Sequence, residues 1–117
     1  MNWLPLTSEE QLSTIDELSG KNPILIFKHS TRCSISAAAL NRLERKWDDS
    51  KAGNIEAYFL DLIAQRNISN EISLRYNVMH QSPQILIVVN GKCIYDNSHL
   101  GISFDEISDV ITELNPA

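Results

Sequence analysis

The chain has 117 residues, is 43% hydrophobic and carries a formal net charge of −5 at pH 7. This length and composition predict a single globular domain over residues 1–117. The acidic balance, with no run of basic residues, argues against nucleic acid and anionic membrane surfaces as partners. The N-terminal segment lacks the basic and apolar regions of a secretory signal, and no apolar run is long enough to cross a bilayer, so we expect a cytoplasmic protein.

The first predicted elements in chain order are a helix and a buried strand. Thr7–Glu10 has the Ser/Thr-x-x-Glu form of a capping box at a helix start. One helical face then carries Leu12, Ile15 and Leu18. The apolar run "ILIF" at 24–27 is too short for a helix and predicts a buried strand.

The middle of the chain predicts helix, strand and helix. A helix begins at Ser34, and its apolar side chains recur every fourth residue, at Ile35, Ala39, Leu43 and Trp47. We interpret this stripe as core packing. The segment "IEAYFLDLI" at 55–63 predicts a second strand, and a third helix follows an Asn67 cap. Its apolar face carries Ile68, Ile72 and Tyr76.

The last third of the chain predicts a hairpin and a terminal helix. The apolar run "QILIVV" at 84–89 reads as a strand, and the Asn90-Gly91 dipeptide favours a tight turn into the returning strand "KCIYD". A second capping box, Ser103–Glu106, precedes the last helix. Its apolar face carries Phe104, Ile107, Ile111 and Leu114.

The predicted order is therefore α-β-α-β-α-β-β-α. Strands separated by helices require parallel crossovers, and the closing hairpin adds one antiparallel pair. A four-stranded mixed sheet with helices on both faces satisfies both requirements. The predicted fold is α/β and thioredoxin-like.

Cys33 lies in the segment "FKHSTRCSIS", at the start of the second predicted helix. The thiolate is the nucleophilic form, and a free cysteine is only about 3% ionised at pH 7. Unpaired N–H groups at the helix start and the preceding Arg32 favour the thiolate, and the hydroxyls of Ser34 and Ser36 can donate to it. Ser36 stands where a dithiol motif carries its second cysteine. We predict that Cys33 is a nucleophile with no internal partner.

A cysteine at this place can also be a small buried residue without chemistry. The polar turn "HSTR" before Cys33 offers no apolar pocket for the sulfur, which favours the reactive interpretation. Ser82-Pro83 gives a second signal, because a cis proline between a helix and a buried strand lies beside the helix-start sulfur in this architecture. An ordinary trans proline that opens a strand is the alternative.

The remaining candidates are weaker. Cys93 lies inside a predicted strand, where a free cysteine is usually a small hydrophobic residue, although a resolving role stays open. Two cysteines in a cytosolic chain argue against a structural disulfide. The histidines lack the spacing of metal ligands, so we expect no metal site. We also expect no bound cofactor. His80 and His99 stand in turns that can face the sulfur, and Asp61 ends a strand on the same side.

Four segments together resemble the monothiol bacilliredoxin family of the bacillithiol system. They are "HSTRCSISAAAL", "NISNEI", "HQSPQILIVVNGK" and "NSH", and the likeness runs from about residue 4 to residue 112. The resemblance implies an enzyme that reduces mixed disulfides between cytosolic proteins and bacillithiol, a low-molecular-weight thiol that serves as co-substrate.

The resemblance also implies roles for residues that match the family's segments. Cys33 matches the active cysteine, Ser36 the serine that replaces a resolving cysteine, and Pro83 the cis proline. The matching substrate-binding positions are His80, Ser82, Ser98 and His99. Two residues depart from the family pattern. Ser34 replaces the proline that commonly follows the cysteine, and Leu100 replaces an aromatic residue that often follows the last histidine.

Two other functions compete with this one. A monothiol enzyme of the same fold can use glutathione or coenzyme A in place of bacillithiol. A thioredoxin-like adaptor can instead bind partners at the proline corner while Cys33 stays inert.

Overall fold

The computed structural model describes residues 1–114, which form one five-stranded sheet with helices on both faces. The strands are β1 (Trp3–Pro5), β2 (Ile24–His29), β3 (Glu56–Asp61), β4 (Gln84–Val89) and β5 (Lys92–Ser98). The helices are α1 (Glu10–Leu18), α2 (Ser34–Lys46), α3 (Asp49–Ala52), α4 (Arg66–Tyr76) and α5 (Phe104–Leu114), and a 3₁₀ turn covers His99–Gly101.

The strands lie in the order β1-β3-β2-β4-β5. β1 and β2 both run parallel to β3, whereas β4 is antiparallel to both β2 and β5. The predicted sheet of four strands lacks β1. This strand was missed because three residues are too few to show the alternating pattern of a strand. β1 is held by pairing with β3 and by the Trp3 ring, whose centroid lies 5.8 Å from those of both Phe27 and Phe59.

Alternation along β2 divides the core into two layers. Ile24 and Ile26 pack toward α1 and α4, whereas Leu25 and Phe27 pack toward α2 and α5. All six residues of β2 are buried, because helices cover both faces of this central strand. The same alternation places Lys28 on the α4 side of the sheet and His29 on the α2 side.

Two predicted helix starts are wrong. α1 begins at Glu10, and the Gln11 amide organises the preceding turn: its Oε1 accepts from the N–H groups of Thr7 and Ser8, at 2.6 and 2.9 Å. α4 begins at Arg66, so Asn67 lies inside the helix and not at its cap. The first error arises because the Gln11 side chain takes the backbone N–H group of Thr7, which a capping box assigns to Glu10.

The predicted apolar stripe of α2 is also wrong at its first member. Ile35 is 52% exposed, and the inward positions of α2 are Ser36, Ala39 and Leu43. A polar serine is unusual at a buried position in the first turn of a helix, and its hydroxyl needs hydrogen-bond partners there.

Candidate redox site at one end of the sheet

Four chain segments meet at one end of the sheet. β2 and β3 both end there, with His29 beside Asp61, and β4 begins there, with Gln84 beside both Lys28 and Ser98. The turn before α2, the loop before β4 and the turn after β5 therefore share this end. The predicted site residues Cys33, Ser82, Pro83, Ser98 and His99 stand on these segments.

Cys33 is the N-cap residue of α2 and is partly exposed. Its backbone is extended, with φ −116° and ψ 118°, and its carbonyl accepts the N–H of Ala37 at 3.1 Å, which starts the helix. Its own N–H donates to the Ser30 carbonyl at 3.2 Å. The side chain thus stands at the end of a 13-residue helix, where the first N–H groups have no helical partner.

The three predicted thiolate-stabilising residues differ in position. Arg32 and Ser34 are exposed on either side of Cys33. Ser36 is wholly buried, and its Oγ accepts the N–H of Ser30 at 3.0 Å and lies 2.7 Å from Nδ1 of His29. Within residues 1–114 no hydrogen bond joins Ser36 to Cys33. The Ser36 hydroxyl holds the turn that carries the cysteine.

His29 is a site residue that sequence reasoning left unassigned. It is buried, and its ring lies 5.3 Å from that of Phe59. Burial lowers the pKa of His29, against smaller opposing effects of Asp61 and Glu44, so the ring is neutral at pH 7. The signal was present in the sequence, since strand alternation places Leu25, Phe27 and His29 on the face that α2 covers.

The Ser82-Pro83 peptide bond is cis, which confirms the predicted isomer. Gln84, itself buried, organises the loop that leads to this bond. Its Oε1 accepts the N–H of Gln81 at 3.3 Å, and its Nε2 donates to the Met79 carbonyl at 3.0 Å. Among the described residues, the buried Oγ of Ser82 has no hydrogen-bond partner. An unsatisfied buried hydroxyl next to the proline is unusual in a folded protein.

The turn after β5 is tied to both neighbouring segments. The N–H of His99 donates to the Pro83 carbonyl at 3.1 Å, and Nη2 of Arg42, from α2, donates to the carbonyls of His99 and Ile102, each at 3.1 Å. His99 has φ +54°, a left-handed conformation that is uncommon outside glycine. Arg42 was not predicted, because nothing in the spacing of an arginine on the polar side of a helix shows which loop it reaches.

His80 lies in the loop before the proline and is exposed, whereas its Nδ1 contacts a buried lysine. Nζ of Lys28 lies 3.4 Å from His80 Nδ1 and 3.3 Å from both the Ser69 carbonyl and the Ser73 Oγ. Burial lowers the pKa of Lys28 from 10.5 to about 8. The pKa of His80 is lowered by burial and by the positive charges of Lys28 and Arg66.

Cys93 lies away from this end. It pairs with Val88, four residues along β4 from Gln84 and so about 13 Å up the strand. Its Sγ donates to the Tyr95 carbonyl at 3.3 Å, and it packs against the core layer on the α1 and α4 side. Burial raises the pKa of Cys93 to about 11, which disfavours its thiolate. These features describe a packing residue.

The carboxylate of Asp61 accepts hydrogen bonds from nearby backbone N–H groups. Its Oδ1 accepts the N–H groups of Ile63 and Ala64, at 3.1 and 3.4 Å, and so shapes the turn into α4. Over residues 1–114, no three His, Cys, Asp or Glu side chains are grouped as a metal site. In the same part of the chain, every helix is too short or too polar to span a membrane.

Comparisons with known proteins bear on the family and the fold. A family profile described as monothiol bacilliredoxin BrxC matches residues 4–107. A solved structure described as a candidate oxidoreductase with a thioredoxin fold has a TM-score of 0.77 and 27% sequence identity, over 91% of this chain and 90% of that one. The α/β thioredoxin-like fold predicted from the sequence is thereby confirmed, with five strands in place of four.

Two thioredoxins share the fold at lower identity. The Malassezia sympodialis thioredoxin Mala s 13 has a TM-score of 0.73 and 18% identity, over 96% of this chain and 90% of its own. The Fasciola hepatica thioredoxin has a TM-score of 0.65 and 16% identity, over 93% of this chain and 96% of its own.

Proposed function

The chain belongs to the monothiol bacilliredoxin family, and from that premise we propose that it reduces mixed disulfides between cytosolic proteins and bacillithiol. Family and fold indicate a thiol–disulfide oxidoreductase. The observation that carries the finer proposal is the pairing of a partly exposed Cys33 at the start of α2 with a buried serine at position 36. A thiol at position 33 with a serine in place of a second thiol at position 36 transfers a small thiol and closes no disulfide across the first turn of α2.

The proposed reaction has two exchanges. The Cys33 thiolate attacks the small-thiol sulfur of a protein mixed disulfide, the S–S bond breaks, and the protein sulfur leaves as a thiolate that takes up a proton. The small thiol is then disulfide-bonded to Cys33. A second small-thiol molecule attacks the small-thiol sulfur of this bond, forms a symmetrical small-thiol disulfide with it and restores the Cys33 thiolate. A dithiol reductase instead attacks the same sulfur with one thiol and resolves with its other thiol, so the small thiol leaves in reduced form and the reductase becomes a disulfide.

The surrounding residues support binding and ionisation. The N–H groups at the start of α2, with Arg32 and Ser34 beside them, favour a thiolate at Cys33 and a carboxylate of the small thiol. On the opposite side we assign substrate binding to the proline loop and the turn after β5. The residues concerned are His80, Ser82, Pro83, Ser98 and His99. Their position at the same end of the sheet as Cys33 supports this assignment.

Exposed apolar side chains on three segments at this end support a protein as the other substrate. Ile35 in the first turn of α2, Met79 before the proline and Leu100 in the 3₁₀ turn are 52%, 80% and 86% exposed. Exposed apolar groups around a reactive centre favour docking of another protein surface. We place the reaction in the cytoplasm, where mixed disulfides of this kind need continual reduction.

The proposal is tested by release of the small thiol from a model protein that carries it in mixed disulfide. Cys33→Ser removes the only nucleophile of the scheme, so release falls to the uncatalysed rate. The matched control Cys93→Ser keeps wild-type release, because Cys93 lies partly buried in β5, away from the site. Substantial release by Cys33→Ser would reject the mechanism.

The same assay separates the competing functions. Substrates that carry glutathione or coenzyme A in place of bacillithiol identify the small thiol by the relative values of kcat/KM. An adaptor releases none of the three, and its Cys33 resists alkylation by iodoacetamide at pH 6, where only a thiolate-rich cysteine reacts readily.

A further inference from the structure

Lys28 is a wholly buried lysine without a carboxylate partner. It is the penultimate residue of β2 and has no exposed surface. The ion pairs within residues 1–114 are those of Arg75 with Asp16 and Glu71, and neither includes Lys28. Burying an ammonium group is costly unless its hydrogens are satisfied, so the identity of its acceptors decides what it does.

Three acceptors surround the ammonium group. Two belong to α4, the Ser69 carbonyl and the Ser73 hydroxyl, and the third is Nδ1 of His80 in the loop before the proline. An ammonium has three N–H donors and no acceptor, so Nδ1 must offer its lone pair. A neutral imidazole with an unprotonated Nδ1 carries its proton on Nε2. The Ser69 hydroxyl, 3.4 Å from the same Nδ1, can add a second donor.

We propose that Lys28 is a positioning residue for thiol exchange: it holds His80 as the Nε2–H tautomer, so that the proline loop offers an N–H donor to a carboxylate or peptide oxygen of the substrate. This inference rests on the proposed function. His80 is exposed while its Nδ1 edge is anchored against Lys28, so the Nε2 edge of the ring faces outward. The loop that carries it leads directly into Ser82 and Pro83.

The charges around His80 keep this donor neutral. The positive charges that act on the ring are those of Lys28, from β2, and Arg66, from α4, and both oppose a second proton. A neutral ring with one fixed tautomer presents a donor of constant direction, whereas an unanchored imidazole divides its proton between both nitrogens and loses part of the interaction.

The tautomer can be measured directly on the whole protein by nitrogen-15 NMR. Long-range proton–nitrogen spectra at pH 7.5 distinguish a protonated from an unprotonated ring nitrogen. For the wild-type protein we expect a protonated Nε2 and an unprotonated Nδ1 at His80. In Lys28→Met, which retains length and apolar bulk, the Nδ1–H form becomes populated. The matched control Ser73→Ala removes a different acceptor of Lys28 and leaves the His80 spectrum unchanged.

Kinetics then show what the tautomer does. One substrate hydrogen bond is worth about 1 kcal/mol, so we expect Lys28→Met to raise KM roughly fivefold with little change in kcat, and Ser73→Ala to leave KM unchanged. Nδ1–H at His80 in the wild-type protein would overturn the inference without any variant. An unchanged spectrum or an unchanged KM in Lys28→Met would overturn it as well.

Failure of the wild-type protein to release a small thiol would instead reject the proposed function. The NMR spectrum shows the tautomer of His80 whether or not the protein releases a small thiol.

Discussion

At the residue scale, Ser36 and His29 together hold the turn that carries the reactive sulfur. The Ser36 hydroxyl bridges Nδ1 of His29 and the N–H of Ser30, and the Ser30 carbonyl accepts the N–H of Cys33. This chain of contacts connects the end of β2 to the start of α2 through the buried residues His29, Ser30 and Ser36. A serine here fixes the position of Cys33 while removing the second sulfur that would close a disulfide.

Lys28 gives a stability prediction with a defined sign. Its pKa is 10.5 in the unfolded chain and about 8 in the folded protein, so between these values the unfolded chain binds more protons. The free energy of unfolding therefore gains a contribution as pH rises from about 8 to 10.5, and below pH 8 the cost of burying the charge is fully present. A pKa difference of this size corresponds to roughly 3 kcal/mol.

Replacement of Lys28 by Met removes this titration. We expect the unfolding free energy of Lys28→Met, relative to wild type, to fall by roughly 3 kcal/mol as pH rises from 7 to 10.5. Urea denaturation at several pH values measures it. Lys92→Met, which removes an exposed lysine from β5, serves as the control and shows little pH-dependent difference. A pH-independent difference for Lys28→Met would contradict the account.

At the scale of elements, the end of the sheet is held by contacts between segments that are distant in sequence. Arg42 of α2 binds the turn after β5, and that turn binds the Pro83 carbonyl. Asn97 completes the set, since its Nδ2 donates to the Tyr95 hydroxyl and its Oδ1 accepts the N–H of Ser98. The two candidate binding loops are therefore hydrogen-bonded to each other, and the turn after β5 is also hydrogen-bonded to α2.

Gly101 tests this arrangement. A Cβ at position 101 would collide with the side-chain amide of Asn97, which cannot move aside without breaking its bonds to Tyr95 and Ser98. We expect Gly101→Ala to cost about 1–2 kcal/mol of unfolding free energy and to weaken substrate binding. In an Asn97→Ala background the same substitution costs clearly less, because the clashing group is gone. Equal costs in both backgrounds, measured by urea denaturation, would show that Asn97 is not the obstacle.

At the scale of the whole molecule, the layered fold and the reactive end follow from local patterns. Buried strands, amphipathic helices and the Asn90-Gly91 turn are short-range signals, and they suffice to place Cys33 and Pro83 at one end of the sheet. β1 escaped detection because its position depends on pairing with β3. The contacts of Lys28 with His80, and of Arg42 with His99, join residues 52 and 57 positions apart. No single sequence reveals such partners.

Replacement of the buried Ser36 by cysteine tests whether position 36 faces the sulfur of Cys33. In Ser36→Cys a thiol replaces the hydroxyl one helical turn from Cys33, and mild oxidation should give an internal disulfide with a mass lower by two hydrogens. Ser34→Cys, with its thiol on the exposed side of α2, is the matched control and is expected to form no such bond within one molecule. An oxidised Ser36→Cys protein without the mass loss would show that position 36 does not face the reactive sulfur.

The proposed thiol exchange requires that the wild-type protein carry the small thiol on Cys33 and on no other residue. Intact-mass spectrometry of the reduced protein after incubation with bacillithiol disulfide, followed by peptide mapping, measures this directly. We expect one added bacillithiol, mapped to Cys33, that persists until a free thiol is supplied. An internal disulfide between Cys33 and Cys93, or no adduct on Cys33, would contradict it.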